Sequence, residues 1–303
     1  MLIGRAAIYF DEVARKGGLR RAADVLHIAP SAVDRQIIQL EEEVGAKLFE
    51  RTPTGMRLTA AGELLIDGVR RWRRDFQRIR SEIDNLVGLR RGKVAIGLVE
   101  GAIEFVTSVI ADFRTLYPAI EVRLDVHGAQ AVVDQVLAGD IDVGVTFNPP
   151  NNPTIRIERT MIYRLGLIVR PDHPLADRKE IKLHEAAALP LVMPSDTRSL
   201  RRVLEVAWSK HVGGAPRAIA EANSISVMKA LVARGVGPGW LTAFDALSEI
   251  DAGTLVFVPL ADERIELSTL SIICASGRTL SVPASLLMQN FATAMDRRDV
   301  LVV

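Results

Sequence analysis

From residue 65 to residue 86 the large apolar side chains fall at Leu65, Val69, Trp72, Phe76, Ile79, Ile83 and Leu86, at intervals of four, three, four, three, four and three. Such a run specifies a helix roughly 30 Å long, because a 3.5-residue repeat keeps its stripe on one side through six turns. Packing within one domain does not require so regular a seam, and a two-stranded coiled coil does. The seam therefore predicts dimerisation through these seven residues, with a helix packed on its own domain as the plain alternative. Arg70, Arg71, Arg73, Arg74, Arg78 and Arg80 border it and read as a solvated face with some attraction for phosphate. Thr59 is placed to cap the helix, and Gly88 to Gly92 reads as a hinge.

Three shorter helices are expected before it. Ala7, Ile8, Phe10, Val13 and Ala14 form the first, closed by Gly17-Gly18; Leu19, Ala22, Ala23 and Leu26 form the second. After the tight turn His27-Ile28-Ala29, Pro30 stands at a helix start, where its missing N–H costs nothing, and Val33, Ile37, Leu40 and Val44 face inward. Ser31, Asp34, Arg35 and Gln39 fall largely on the opposite side. Residues 47–51 and 56–58 then suggest a hairpin turning at Thr52-Pro53-Thr54-Gly55. Two short helices, a turn, an amphipathic third helix and a hairpin describe a winged helix-turn-helix whose third helix fits a DNA major groove. The candidate DNA-binding residues are Arg20, Arg21, Pro30, Ser31, Asp34, Arg35, Gln39, Arg51, Thr52, Thr54 and Arg57, with Arg51 and Arg57 projecting beside the hairpin turn.

At this point the residues resemble the DNA-binding domain of LysR-type transcriptional regulators. The matching pieces are Phe10…Val13-Ala14, Ala22-Ala23…Leu26-His27, Ser31-Ala32-Val33…Arg35-Gln36-Ile37, Leu40-Glu41, Gly45…Leu48-Phe49-Glu50-Arg51 and Leu58-Thr59…Ala61-Gly62. Two positions depart from the family pattern: Asp34, where serine is usual, and Pro30, where glutamine is frequent. A carboxylate at 34 either accepts from a cytosine amino group or holds Arg35 or another basic side chain in place, and the holding role is favoured.

Beyond residue 92 the texture changes to strands alternating with helices. Strands are expected at 94–98, 121–127, 142–147, 165–169, 191–193, 218–221 and 238–241, and helices at 103–116, 131–137, 200–210 and 226–234. The βαβαβ order predicts a parallel sheet flanked by helices, in two Rossmann-like lobes joined by two crossing strands, an architecture similar to periplasmic solute-binding proteins and to the effector domain of the same regulator family. Arg91-Gly92-Lys93-Val94…Ile96-Gly97, Phe113…Tyr117-Pro118, Gly139-Asp140-Ile141-Asp142, Pro171-Asp172-His173-Pro174-Leu175 and Val232…Gly235-Val236-Gly237 carry that likeness. The expected domains are thus a winged helix-turn-helix at 1–58, a linker helix and hinge at 59–91 and an effector-binding domain at 92–303, with lobe I near 92–161 and 268–303 and lobe II near 162–267.

Ligands in such folds sit beyond the carboxyl ends of strands, where helix N-termini favour anions. That rule selects Glu100, Gly101, Ala102, Ile103, Gly128, Ala129, Phe147, Asn148, Pro194, Ser195, Thr197, Arg198, Asn223 and Ser224 as effector-binding candidates. Arg198 is suited to clamp a carboxylate, while Asn223, Ser224 and Thr197 also read as helix caps. Many members of the family have serine or threonine near Glu100. A carboxylate there, with Glu104 one turn later, would repel an acidic effector and prefer an amine, or would pair with Arg198.

Charge and motif support a regulator over an enzyme. Residues 1–91 hold 17 Lys/Arg against 13 Asp/Glu, and the remainder is slightly acidic, a distribution that suits a DNA reader joined to a sensor. One cysteine precludes an internal disulfide, and the absence of a signal-peptide pattern or a long apolar run makes the cytoplasm the expected address. There is no G-x-S-x-G elbow; Gly88–Lys93 falls one residue short of a phosphate loop; Gly235-Val236-Gly237-Pro238-Gly239 is spoiled as a dinucleotide fingerprint by its proline; the five histidines lack metal-ligand spacing; Asp140 and Asp142 suit a loop and cap, and Ser195 lacks a local base. The expectation is a ligand-responsive transcription regulator, no enzyme, with no metal or resident cofactor. Its partners would be double-stranded DNA, an unidentified small-molecule effector, a second copy or dimer of dimers, and RNA polymerase, with no membrane. A solute-binding or transferase-like protein with a helical oligomerisation module, and an architectural DNA-binding protein, are the alternatives. Effector, operator, and activator or repressor sense are not legible in the residues.

Overall fold

The computed structural model describes residues 4–53, 55–86, 91–195, 199–213, 216–261 and 267–299. It divides into two compact units, residues 1–87 and 88–303.

In the first unit, α1 (Arg5–Lys16), α2 (Leu19–Leu26) and α3 (Pro30–Val44) precede a hairpin of β1 (Phe49–Thr52) and β2 (Gly55–Leu58), and α4 (Ala60–Leu86) follows. Gly17 and His27 end α1 and α2 in the left-handed region, as does Gly45 after α3. The core gathers Phe10, Val13, Ala22, Ala23, Val33, Ile37, Leu48 and Phe49, with the Phe10 and Phe49 rings 5.2 Å apart. Ala22 and Ala23 are fully shielded, so their small size lets α2 lie close to its neighbours. Val44, expected to face inward, is 44% exposed, because α3 outruns the core.

Two buried carboxylates fasten this unit. Glu41 of α3, 8% exposed, accepts the backbone N–H groups of Leu48 (2.9 Å) and Phe49 (3.3 Å) and the Lys47 ammonium (2.6 Å). Burial alone would raise its pKa, but these donors outweigh it and the net shift is downward. Asp11 of α1, 4% exposed, accepts Arg70 Nε at 3.1 Å and Arg73 Nη1 at 3.0 Å, tying α4 to α1. The predicted solvated arginine face is thus in part an anchor. Thr59 caps α4 as expected: its Oγ1 accepts from Gly62 N and donates to the Lys47 carbonyl.

The second unit contains two five-stranded sheets. Its elements run β3 (Gly92–Leu98), α5 (Ile103–Leu116), β4 (Ile120–Val126), α6 (Ala129–Ala138), β5 (Val143–Phe147), β6 (Ile155–Tyr163), β7 (Leu165–Val169), α7 (Leu183–Ala187), β8 (Leu191–Pro194), α8 (Ser199–His211), β9 (Ala218–Ala222), α9 (Ile225–Ala233), β10 (Gly239–Thr242), α10 (Leu247–Asp251), β11 (Val256–Pro259), β12 (Ser268–Ala275) and α11 (Val282–Asp299). Single 3-10 turns occupy Glu100–Ala102 and Ala243–Ala246. Lobe I has strand order β4-β3-β5-β12-β6 and lobe II β11-β7-β10-β8-β9.

The sheets are mixed, which corrects the expectation of a parallel sheet. Strands β3, β4 and β5 are parallel, but β12 runs antiparallel to both β5 and β6; in lobe II, β7 runs antiparallel to β10 and β11. Strands β6, β11 and β12, and helices α7, α10 and α11, were not anticipated. The chain passes from β6 of lobe I into β7 of lobe II across Arg164 and returns in β12; two crossings are expected from the sequence, but the strands that make them are not placed there. The lobes share core: Phe244, from the segment assigned to lobe II, sits among lobe I residues, 4.8 Å from Tyr163 and 6.1 Å from both Phe105 and Phe147.

Candidate functional site

On α3, burying Val33, Ile37 and Glu41 turns the opposite face to solvent, where Pro30, Ser31, Arg35 and Gln39 are exposed. Asp34 is half-buried and accepts Arg51 Nη2 at 2.7 Å. The carboxylate thus holds a basic side chain, and that side chain is the wing arginine, seventeen residues on, in place of the adjacent Arg35. The hairpin register pairs Arg51 with Met56 and Arg57 with Glu50. Successive strand residues face opposite sides, so Arg51 lies on the wing face toward α3 and Arg57 on the other, and the two do not form one patch.

Arg20 and Arg21 are exposed on α2, but Arg21 Nη2 donates to the Gly17 carbonyl at 3.0 Å. That carbonyl also accepts from Met56 N at 2.9 Å, which seats β2 on the α1–α2 turn. Gly55, with φ 144°, lies so close to the Gly17 carbonyl that no side chain fits there. Thr52 Oγ1 donates to the Gly55 carbonyl at 3.1 Å, and Thr54 lies outside the described residues. Glu41, which fixes the recognition helix to the wing, was missed as a site residue; its place on the inward face of α3 beside Ile37 was the available signal.

The seam of α4 is divided. Leu65 and Val69 pack into the unit's own core together with Ile66, which the heptad reading omits. Beyond them Phe76 is half-buried, while Trp72, Ile79 and Ile83 are 49%, 45% and 55% exposed. The side chain of Leu86 lies outside the described residues. The exposed part of the apolar stripe therefore begins near Trp72, a shorter stretch than the sequence pattern outlines.

In the second unit a cavity of about 380 Å³ lies between the lobes. Six predicted effector residues line it: Glu100, Gly101, Gly128, Ala129, Phe147 and Asn223. Gly101 passes so close to the Asp245 carboxylate that a Cβ there would force that side chain to shift. Ala102, Ile103, Asn148, Pro194, Ser195 and Ser224 are not among the described lining residues; Thr197 and Arg198 lie outside the described residues. Asn148 has a structural task, since its left-handed backbone (φ 48°) and its Oδ1 link the end of β5 to Thr269 N (2.8 Å) and Oγ1 (3.1 Å). Ser195 continues the β8–β9 pairing through Ser195 N to the Ala222 carbonyl at 2.9 Å.

His127, Thr242, Asp245 and Ser268 also line the cavity and were missed. Thr242 ends β10, so the strand-end rule reaches it once β10 is placed parallel to β8. Asp245, 7% exposed, accepts Thr242 N (3.0 Å) and Oγ1 (2.7 Å), capping the turn that carries Phe244. Ser268 opens the unanticipated β12.

Glu100 reaches across the cleft. Its Oε1 accepts Ser224 Oγ at 2.7 Å and Ser226 N at 3.1 Å, placing a lobe I carboxylate on the N-terminus of lobe II helix α9. Glu104 accepts Ser248 Oγ at 2.7 Å and lies 3.8 Å from Lys229, which pairs with Glu249 at 2.7 Å. The pairing of Glu100 with Arg198 lies outside the described residues.

These geometries meet the comparisons with known proteins. Residues 88–296 match the LysR substrate binding domain, and residues 5–63 match the bacterial regulatory helix-turn-helix protein of the lysR family. The chain belongs to the LysR family. It is a DNA-binding transcriptional regulator with an effector-binding domain. Among relatives of this LysR regulator, the RuBisCO operon transcriptional regulator of Allochromatium vinosum is 31% identical over 66% of this chain and 67% of its own, and the regulator CbbR of Rhizobium meliloti (strain 1021) is 26% identical over 97% and 93%. In fold it is similar to full-length CbnR crystallised with its target DNA (TM-score 0.63, 24% identity, 97% and 98% covered) and to a full-length OxyR from Pseudomonas aeruginosa (TM-score 0.69, 17% identity, 96% and 93% covered). Among the described residues, no cluster of His, Cys, Asp or Glu suits a metal ion, and no helix is long and apolar enough to cross a membrane. Asp142 accepts Ala95 N at 2.8 Å beside the β3–β5 pairing.

Proposed function

We propose that residues 1–58 read an operator with Ser31, Arg35 and Gln39 of α3 directed at base edges, while Arg20, Arg51, Thr52 and Arg57 meet backbone phosphate. Pro30 sets the start of the reading helix, and Asp34 orients Arg51. The observation that carries this reading is the solvent-facing side of α3, fixed to its wing through the buried Glu41. Residues 59–91 pair two copies through Trp72, Phe76, Ile79 and Ile83, so that a two-fold dimer reads two half-sites. CbnR, crystallised with its target DNA, has a similar fold, which supports this placement.

Residues 92–303 hold a small-molecule effector in the cavity between the lobes. An effector that binds one arrangement of the lobes more tightly than the other shifts the population toward it, repositions the paired heads and changes access of RNA polymerase. The protein acts in the cytoplasm, without catalysis.

A gel shift of the chain's own upstream region over rising salt tests the reading. Specific retention is expected, with affinity falling about a thousandfold or more between low and moderate salt if six or more phosphates are contacted. Equal affinity for every duplex, or a monomer by light scattering, would overturn it.

A further inference from the structure

We propose that Ile38 is a base-reading residue: an apolar side chain on the outward row of α3 that packs against the 5-methyl group of a thymine, one or two base pairs from the base read by Arg35. This deepens the reading of residues 1–58 as the operator-binding head and rests on it.

The row follows from what α3 buries. Val33, Ile37 and Glu41 are turned inward, so the outward side carries Ser31, Arg35 and Ile38, all exposed, at intervals of four and three that stack them along one side of the helix. The inward apolar stripe runs through Val33, Ile37 and Leu40. Ile38 lies about 100° round the helix from Ile37, off that stripe, and is 40% exposed.

Its polar neighbours are engaged within the protein. Asp34, one turn before it, holds Arg51 Nη2 at 2.7 Å. Toward the other flank Gln36 Nε2 donates to Gln39 Oε1 at 3.2 Å, and Gln39 Nε2 donates to Glu43 Oε1 at 3.1 Å. Gln39 must exchange these bonds to read a base, whereas an apolar contact at Ile38 breaks none. The last turn of α3 carries Glu42 and Glu43, which phosphate repels, so the part of the helix that enters the groove ends near Ile38.

The chemistry of the groove selects the occupant. The 5-methyl of thymine is the apolar feature among the base edges of the major groove, and an isoleucine laid on it removes both surfaces from water. A β-branched side chain in a helix is held largely to one χ1 rotamer, so little freedom is lost on contact. The guanidinium fork of Arg35 suits O6 and N7 of guanine. Three residues of helical rise, about 4.5 Å, separate Arg35 from Ile38, against about 3.4 Å per base pair, which sets the spacing of guanine and thymine when the helix lies along the groove.

Replacing thymine by uracil removes the methyl group and nothing else. The full chain is first used to select a duplex from a random-sequence pool. Each thymine of that duplex is then replaced singly by uracil, and affinity is measured by fluorescence anisotropy for the wild type, Ile38→Ala, Ile38→Val and Arg35→Ala. In each half-site one uracil is expected to weaken the wild type about fourfold, the worth of one buried methyl group. Ile38→Ala should bind the thymine duplex about fourfold more weakly and be indifferent to uracil at that position, the coupling of a double-mutant cycle. Ile38→Val should keep most of the uracil penalty. Arg35→Ala should keep it too, while relaxing preference at a guanine one or two base pairs away. A wild type indifferent to every uracil, or an Ile38→Ala variant that retains the full penalty, would overturn the proposal. Either result with a sequence-specific duplex still selected rejects the role of Ile38 alone, whereas a pool that yields no preferred sequence rejects the reading head and this proposal with it.

Discussion

The two units use carboxylates in opposite ways. In the winged helix, Asp11 and Glu41 lie in or beside the core at 4% and 8% exposure, each held by two or three donors. In the effector unit, Glu100 is half-buried and the Glu104 side chain is 53% exposed, and both span the gap between lobes. Stranding a buried charge costs several kcal/mol, whereas breaking a solvated contact costs a fraction of one. The comparison teaches that the reading head is built to keep one shape. The effector unit is tied across its cleft by contacts that are partly open to water.

The largest test of this contrast is the double substitution Arg70→Ala with Arg73→Ala. It leaves Asp11 buried without its two cations and should lower the stability of the first unit by about 3–5 kcal/mol. Differential scanning calorimetry should show the first unit's transition falling while that of the second stays in place. Unchanged melting of both units would mean that Asp11 is adequately solvated and would dissolve the contrast.

Next in size are substitutions on the presented faces. Arg35→Ala should cost about 1–3 kcal/mol of operator affinity and relax preference at one base position. Arg57→Ala should weaken binding evenly across sequences and reduce the salt slope by about 1. Gel shifts on the operator and on a scrambled duplex separate the two; matching losses on both duplexes for Arg35→Ala would remove it from base reading.

Glu41→Gln should destabilise the first unit by about 1–2 kcal/mol at neutral pH. Because the folded-state pKa of Glu41 is lowered from 4.5, its contribution is fully present above that value and fades as pH falls through the folded pKa. The gap between wild type and variant in urea unfolding should therefore close on acidification. A gap that widens at low pH would mean that the buried carboxylate is held in its protonated form.

Smallest of all is Ser248→Ala, which removes one donor to Glu104. It should change effector-unit stability by less than about 1 kcal/mol, since water can take the vacated position. A loss as large as that of the Arg70/Arg73 pair would make the cleft as rigid as the reading head.

Much of the architecture could be read along the chain because short-range periodicity carries it. Leu19, Ala22, Ala23 and Leu26 mark α2, and Pro30 with Val33 and Ile37 marks α3, through spacings that any helix must obey. The strand-end rule found Glu100, Gly128 and Phe147 for the same reason: a strand leading into a helix or turn leaves polar backbone and small residues at its tip. Strand β6 escaped because it runs along a sheet edge with only Ile155, Met161 and Tyr163 buried, so its pattern never settles into clean alternation. Without it and β12 the sheets looked parallel, and Ser268 could not be placed in the cleft.

The sequence by itself determined the kind of molecule: a winged helix-turn-helix, a long helix with an apolar stripe, and a two-lobed α/β sensor. These follow from residue type and spacing over a few turns. Only the tertiary structure decided which partner each charge takes. Asp34 could not be assigned to Arg51, Asp11 to Arg70 and Arg73, or Glu100 to Ser224 and Ser226, since 17, 59 to 62 and 124 to 126 residues separate them. Packing brings those groups together, and a charge's energy depends on its distance to others in space and on the water between them, neither of which is written in the order of the chain.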